Sequence, residues 1–454
     1  MIYLLSILSG FLLSLSTPPL PTGALIWIAF VPLFIAILSA ENYRQVLLAS
    51  VLTSFILHGF LFYGVKNYSL WIYLLLPPLY SIPYISLGFL TFYINRKSSR
   101  RLVASIVIAS FWFLIERVMN VLSLPYYIGL ALYQSSWAGF TSIVGCSGLG
   151  ALIIFANVFL ATLLMARRMS LRPVAIWLII MCAPFLYGRI YSNHPPISSS
   201  SLKIAVVQPS WGPEKYLGKG QDLLWQQMSR LIRGAVLKTS ADVILLPESF
   251  GVYLDRKNYL DDINDLPAVD IITGGVNYSP DRLLTYNSAY YIKPGQGILS
   301  VYNKMGLVPL IESAYAVPKE DSRIFSIGGH RLAPLVCFES LIEKRVEEQA
   351  KDSEGLLLLA NETWFETRTL PFTHLASIVM RSIEYGLPAI MVGNTISMAS
   401  DAVGRFQITN YRAPEIVTFD FHPNRIDTLF SKYGRVIPYL AGLIVFGAFA
   451  ARRV

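Results

Sequence analysis

Three residues of this 454-residue chain have the types and settings that nucleophilic acyl chemistry requires: Glu248 in LLPES, Lys304 in VYNKMGLVPL and Cys337 in APLVCFES. A thiol nucleophile needs a base to take its proton and a cation or N–H donor to hold the oxyanion that its attack creates. Glu248 stands where an apolar strand ends, and partial desolvation there raises a carboxyl pKa towards the range of a general base. Taken alone, it reads more readily as a helix cap or a surface glutamate. Lys304 lies among apolar residues with Glu312 eight positions on, and a buried ammonium calls for such a partner. Its alternative is a lysine that snorkels to the surface. Cys337 closes an apolar strand immediately before a segment beginning ESLIEK. If that segment is a helix, its free N–H groups favour a thiolate and can bind an oxyanion; the alternative is an inert packed cysteine. The other two cysteines, Cys146 and Cys182, fall in long apolar stretches and read as packing residues.

The elements that would position these residues recur over 202–434. Strand-like apolar runs occupy 202–208, 242–248, 271–278, 288–292, 332–338, 355–361 and 387–394. Between them QDLLWQQMSRLIRGAVLK (221–238), ESLIEKRVEEQAK (339–351) and HLASIVMRSIEYG (374–386) carry helical spacing. The order predicts an α/β layered sandwich with a mixed sheet. NHPPISSSS, within 192–201, reads as a linker into it.

Outside that region the chain is of a different kind. Hydrophobic residues make up 54% of the sequence and charged ones only 14%, which points to a polytopic membrane protein. Seven windows long enough to cross about 30 Å of hydrocarbon are expected within 1–191, near 2–18, 24–40, 46–64, 70–94, 102–122, 140–165 and 172–191. An eighth lies near 435–451, so the fold class is a multi-pass helical domain of about eight spans plus the α/β sandwich. Residues 435–454 form its last helix and a tail. The first window lacks a basic leader and a small-residue cleavage site before Pro18, Pro19 and Pro21, and reads as retained. Arg96, Lys97, Arg100 and Arg101, then Arg167, Arg168 and Arg172, then Arg452 and Arg453 all fall on one face if the chain starts in the cytoplasm. That orientation places 192–434 on the opposite face, where Cys337 is an unpaired thiol in an oxidising compartment. The net charge of +9 follows from topology, and no nucleic-acid motif accompanies it. Five histidines are scattered without metal-ligand spacing, so no metal or other cofactor is expected. Glu116 and Arg117, inside the fifth window, should form an ion pair facing protein or meet a headgroup.

The order Glu, Lys, Cys, together with VVQPSW, ITGGVNY, NETWF and THLASIVMRSIEYGLPAIMVGNT, resembles the nitrilase or carbon–nitrogen hydrolase superfamily over most of 202–434. With seven spans before and one after, the whole chain resembles the apolipoprotein N-acyltransferase family. The resemblance implies an extracytoplasmic, nitrilase-like αββα sandwich in a bacterial inner-membrane enzyme. Glu248 would be the base, Cys337 the nucleophile that takes an acyl group from a phospholipid, and Lys304 the oxyanion partner. The acceptor would be the α-amine of a diacylglyceryl-cysteine apolipoprotein. Glu312, Glu339 and Trp364 match supporting positions. Phe338 replaces a tyrosine that often follows the nucleophile, and Tyr216 stands near a usual tryptophan in 211–220, a candidate lid. LPYYIGLALYQ (124–134) replaces a Phe-Pro-Trp motif. A membrane-bound amidase or hydrolase, a conjugal-transfer relative acting on another amine, and a non-catalytic scaffold are the rival readings.

Overall fold

The computed structural model describes all residues except 98–99, 167–170, 194–199, 214–220, 249–267, 280–282, 320–323 and 451–454. Its contacts divide the chain into two compact units, one of 1–193, 367–376 and 428–454, the other of 194–366 and 377–427.

The first unit is helical. Among the described residues, six helices are long and apolar enough to cross a membrane: Tyr43–Leu61, Leu70–Lys97, Arg101–Val121, Ser136–Leu164, Leu171–Tyr191 and Leu429–Ala450. The first two expected windows form shorter apolar helices, Ile2–Leu15 and Gly23–Leu38. In lipid, helices associate through close backbone approach and internal hydrogen bonds. Both devices are present. A Cβ on Gly10 would lie 2.8 Å from Cβ of Ile56, and Ser9 Oγ donates to the Ala29 carbonyl at 2.6 Å. The chain breaks between Ile26–Ala29 and Val31–Leu38, and Asn157 serves the groups that the break leaves over. Its Oδ1 accepts the Phe30 N–H at 3.0 Å, and its Nδ2 donates to the Ile26 carbonyl at 3.0 Å. Glu116 is buried and faces protein, its Oε1 accepting from Trp112 Nε1 at 2.9 Å and from the Ile128 N–H at 3.2 Å.

Among its described residues the second unit holds two six-stranded mixed sheets. Its strands are β1 (Leu202–Gln208), β2 (Val243–Leu245), β3 (Asp270–Ser279), β4 (Leu284–Lys293), β5 (Gly297–Asn303), β6 (Phe325–Ile327), β7 (His330–Val336), β8 (Gly355–Ala360), β9 (Ala389–Gly393), β10 (Met398–Ser400), β11 (Phe406–Ile408) and β12 (Glu415–Phe421). One sheet runs β12-β1-β2-β3-β4-β5 and the other β11-β10-β9-β8-β7-β6. Parallel pairs lie at the centre of each, β1 with β2 and β2 with β3, then β7 with β8 and β8 with β9, flanked by antiparallel strands. β1 approaches β9 and β4 approaches β7, so the sheets face each other. Parallel strands are covered on both faces, and β8, GLLLLA, is accordingly buried throughout. On the first sheet's outer face the helix Gln221–Lys238 lays Leu224, Trp225, Met228, Ile232 and Ala235 against Ala205, Val207, Ile244 and Ile271. That helical spacing meeting a period of two along β1 is what makes the layers pack. The helix Glu343–Ala350 packs on β7, where Gln349 Nε2 donates to the Pro334 carbonyl at 2.8 Å.

Candidate active site

Glu248 lies three residues beyond β2. The Leu246 N–H donates to the Ile272 carbonyl at 2.9 Å and the Gly274 N–H to the Pro247 carbonyl at 3.1 Å, so LLPE stays laced to β3 up to the glutamate. Asn361, just past β8 in the opposite sheet, closes on it from the other side. Its backbone N–H donates to Glu248 Oε2 at 3.1 Å, and its side chain to the Glu248 carbonyl at 3.4 Å.

Lys304 follows β5 and extends that strand's ladder, its N–H donating to the Asn287 carbonyl on β4 at 2.8 Å. The side chain is 1% exposed, and Nζ sits 3.1 Å from Glu248 Oε1 and 2.9 Å from Glu312. Asn287 Nδ2 bridges the same two carboxylates, 2.7 Å from Glu248 Oε1 and 2.8 Å from Glu312 Oε1. Glu312 is fixed in turn by the Val308 N–H, 2.7 Å from its Oε2. The turn between Lys304 and Glu312 thus folds back so that both ends hold one ammonium.

Cys337 follows β7 with a φ of 51°, a left-handed setting that a cysteine adopts only when its surroundings hold it there. The chain then enters a five-residue 3-10 turn, Cys337–Leu341, and the α-helix starts only at Glu343. Glu339 braces this elbow. Its Oε2 accepts the Val336 N–H at 2.8 Å, while its Oε1 accepts from Tyr302 Oη at 2.7 Å and from the Met305 and Gly306 N–H groups at 2.7 and 3.0 Å. One carboxylate therefore ties the Cys337 turn to the residues that follow Lys304. From the far side Ser340 Oγ donates to the Cys337 carbonyl at 3.2 Å and accepts from Ser377 Oγ at 2.8 Å. Arg381 Nε donates to the Ser340 carbonyl at 3.1 Å, and its guanidinium pairs with buried Glu384.

Electrostatics follow from this burial. Desolvation raises the Glu248 pKa, with Lys304 opposing and Glu312 adding to the shift. Burial acts to lower that of Lys304, but Glu248, Glu312 and Cys337 together outweigh it and hold the ammonium charged. Burial, then the Glu248 carboxylate, pushes the Cys337 thiol well above its usual range; Lys304 opposes, and Glu362 and Glu312 add. The expectation of an α-helix terminus favouring the thiolate is overturned, because a short 3-10 turn stands there instead and burial with the neighbouring carboxylates pushes the thiol the other way. The resting sulfur is a thiol beside a carboxylate with raised proton affinity. Burial also raises Glu339, against hydrogen bonds from Val336 and Tyr302.

Glu248, Lys304, Cys337, Glu312 and Glu339 thus converge. Phe338 is half-buried next to Cys337, and Trp364 is half-buried in the 3-10 turn Thr363–Phe365. Tyr216 and most of the candidate lid lie outside the described residues. Sequence reasoning missed Asn287, Asn361 and Arg381. The one signal for Asn287 was an amide inside the aromatic strand TYNSAYY.

The same two-unit plan is found among known proteins. Residues 9–159 match the apolipoprotein N-acyltransferase N-terminal domain, and residues 203–426 match the carbon–nitrogen hydrolase family. An apolipoprotein N-acyltransferase of Geobacter metallireducens is 25% identical, over 99% of this chain and 95% of its own. One from Thermotoga maritima is 24% identical over 99% and 93%, and one from Chlorobaculum tepidum is 22% identical over 99% and 97%. With both domains matched in order and the similarity running nearly end to end, the chain belongs to the apolipoprotein N-acyltransferase family, a membrane-embedded branch of the carbon–nitrogen hydrolases.

Proposed function

We propose that this chain is an N-acyltransferase that moves a fatty acyl group from a phospholipid, through a thioester on Cys337, to the α-amine of a diacylglyceryl-cysteine at a lipoprotein N-terminus. The observation that carries the reading is the buried Glu248–Lys304 pair set against Cys337 in a chain of this family. In the first half-reaction Cys337 Sγ attacks the ester carbonyl while its proton passes to Glu248. Lys304 has three N–H donors, of which Glu248 and Glu312 engage two, so the third is available to the oxyanion. Collapse breaks the ester C–O bond, and the leaving lysophospholipid oxygen takes the proton back from Glu248. In the second half-reaction the amine attacks the thioester, Glu248 takes a proton from nitrogen, and the departing sulfur receives it. The two halves alternate, which gives ping-pong kinetics.

The apolar helices fit a protein embedded in the lipid that supplies its donor. The basic clusters at Arg96–Arg101, Arg167–Arg172 and Arg452–Arg453 support cytoplasmic termini, with 202–434 on the periplasmic side of the bacterial inner membrane. The working division is then 1–191 and 435–454 in the bilayer, joined to 202–434 through a linker at 192–201. The test is a chase in nanodiscs of phosphatidylethanolamine bearing a labelled acyl chain, with a diacylglyceryl-cysteine peptide added. Label in an amide on the peptide, matched by lysophospholipid, is the expected result. Label released as free fatty acid at the same rate with or without peptide would make the chain a hydrolase.

A further inference from the structure

The two carboxylate oxygens of Glu248 are met from different directions. Oε1 accepts from Lys304, just past β5, and from Asn287 on β4. Oε2 accepts the Asn361 N–H at 3.1 Å. That N–H belongs to the peptide between Ala360 and Asn361, whose carbonyl accepts the Asn394 N–H at 3.2 Å. The peptide that meets the carboxylate is thus fixed on its other side by the residue that follows β9.

The side chain of Asn394 extends the same network. It is buried, and its amide takes the Trp211 backbone at both polar groups: Oδ1 accepts the Trp211 N–H at 3.1 Å, and Nδ2 donates to the Trp211 carbonyl at 2.6 Å. Ser210, just before, has a φ of 51°, and its N–H donates to the Asn394 carbonyl at 2.9 Å. Such a left-handed setting persists where surrounding bonds hold it. Thr363, also buried, closes the ring. Its hydroxyl donates to the Trp211 carbonyl and accepts from Asn394 Nδ2. The Thr363 N–H then donates to Asn361 Oδ1 at 3.3 Å, and Asn361 Nδ2 to the Glu248 carbonyl at 3.4 Å. The residues that follow β1, β8 and β9 are in this way joined by one buried polar network that runs from Trp211 to the Glu248 carboxylate.

We infer that Asn394 is a positioning residue for Glu248: its amide, through Trp211 and Thr363, sets the turn at 361–363 so that the Asn361 N–H meets Oε2. The inference rests on the proposed function in taking Glu248 as the base. A hydrogen bond to the carboxylate favours its charged form, the form that can take the Cys337 proton. Lys304 acts on Glu248 in the same sense and Glu312 in the opposite one, both from the segment after β5, and Cys337 bears on it from beyond β7. Removing the Asn394 amide leaves those three groups in place, so the base should be retuned and not lost.

The test follows acyl-enzyme formation by intact mass, with the full chain in phosphatidylethanolamine nanodiscs, from about pH 5 to about pH 9, which spans the carboxylate and thiol ranges. Thr363→Val removes the hydroxyl and keeps the branched shape. It and Asn394→Ala should each move the acid limb of the rate upward by about one unit, roughly tenfold in rate below the limb, as for the weaker hydrogen bonds to a charged group. The alkaline plateau should stay close to wild type. Thr363→Ser keeps the hydroxyl and should hold the limb at its wild-type place. Because both side chains act through one link, the double variant should shift no further than either single one. If Asn394→Ala does not fold, Thr363→Val compared with Thr363→Ser decides. An unmoved limb, a loss equal at every pH, or shifts that add in full would each make the network a brace of the fold alone and overturn the assignment. Failure of the wild type itself to form acyl-enzyme would instead sink the transferase reading, and this inference with it.

Discussion

The Asn287 amide donates to Oε1 of Glu248 at 2.7 Å, and the same nitrogen reaches Glu312 at 2.8 Å. A strand residue thereby holds the Glu248 carboxylate in place and opposes the rise in its pKa that burial causes. A hydrogen bond to a charged group is worth about 1.5–3 kcal/mol, which corresponds to roughly one to two pH units. Without it the carboxylate binds its proton more tightly, so the base is lost at a higher pH. Asn287→Ala should therefore move the acid limb of the acyl-enzyme formation rate upward by about that amount. Stopped-time intact mass across pH 5–9, a range of about four units around the carboxylate and thiol values, checks it; an unmoved limb would remove Asn287 from the base's surroundings.

Lys304→Met takes the cation from between two buried carboxylates and should destabilise the protein by about 3–5 kcal/mol at pH 7. The sign of the pH dependence follows from Glu248. Its folded pKa is already raised, and losing Lys304 raises it further, so stability is lost as pH rises through the folded value and regained below the unfolded one. Thermal unfolding of the variant should accordingly recover on acidification relative to wild type, and acyl-enzyme formation should be abolished.

Arg381 and Glu384 form a buried ion pair behind the Cys337 turn. Arg381→Ala strands a buried carboxylate and should cost about 3–5 kcal/mol. Arg381→Lys keeps the charge but loses the fork that reaches the Ser340 and Leu341 carbonyls. It should retain more stability than Arg381→Ala while slowing acylation, which melting curves and single-turnover mass together would show.

In the helical unit, a Cβ on Gly188 would lie 1.7 Å from the Ser136 carbonyl oxygen, and the Gly139 Cα is 3.4 Å away. Gly188→Ala should force Leu171–Tyr191 off the 3-10 turn Ser136–Phe140 and destabilise by at least about 1–3 kcal/mol. Gly442→Ala meets nothing within 4 Å and is the matched neutral control. Equal melting temperatures for the two variants would contradict the packing described.

Glu248, Lys304 and Cys337 were legible in the sequence as a candidate group because each stands just past a strand, Glu248 and Cys337 after the parallel strands β2 and β7 and Lys304 after the antiparallel edge strand β5. The helix at 221–238 was legible for a similar reason, since five core residues share one face. Asn287 was not, because a lone amide in an aromatic strand reads as its polar face until β2 and the 304–312 turn are brought beside it. Arg381 likewise gains meaning only once its helix lies behind the elbow. Strands of three residues such as β6, β10 and β11 carry too little alternation to be seen. At Cys337 the sequence suggested an α-helix from Glu339, whereas Glu339 turns its carboxylate inward to the Val336, Met305 and Gly306 N–H groups, and the helix starts four residues later.

The central claim is a thioester on Cys337, and intact-mass measurement of the purified protein after incubation with phospholipid tests it most directly. The wild type should gain one fatty-acyl mass that hydroxylamine removes, Cys337→Ala should gain none, and adding a diacylglyceryl-cysteine peptide should move the increment to the peptide amine. An acyl increment that persists in Cys337→Ala, or none on the wild type with any phospholipid, would contradict the account.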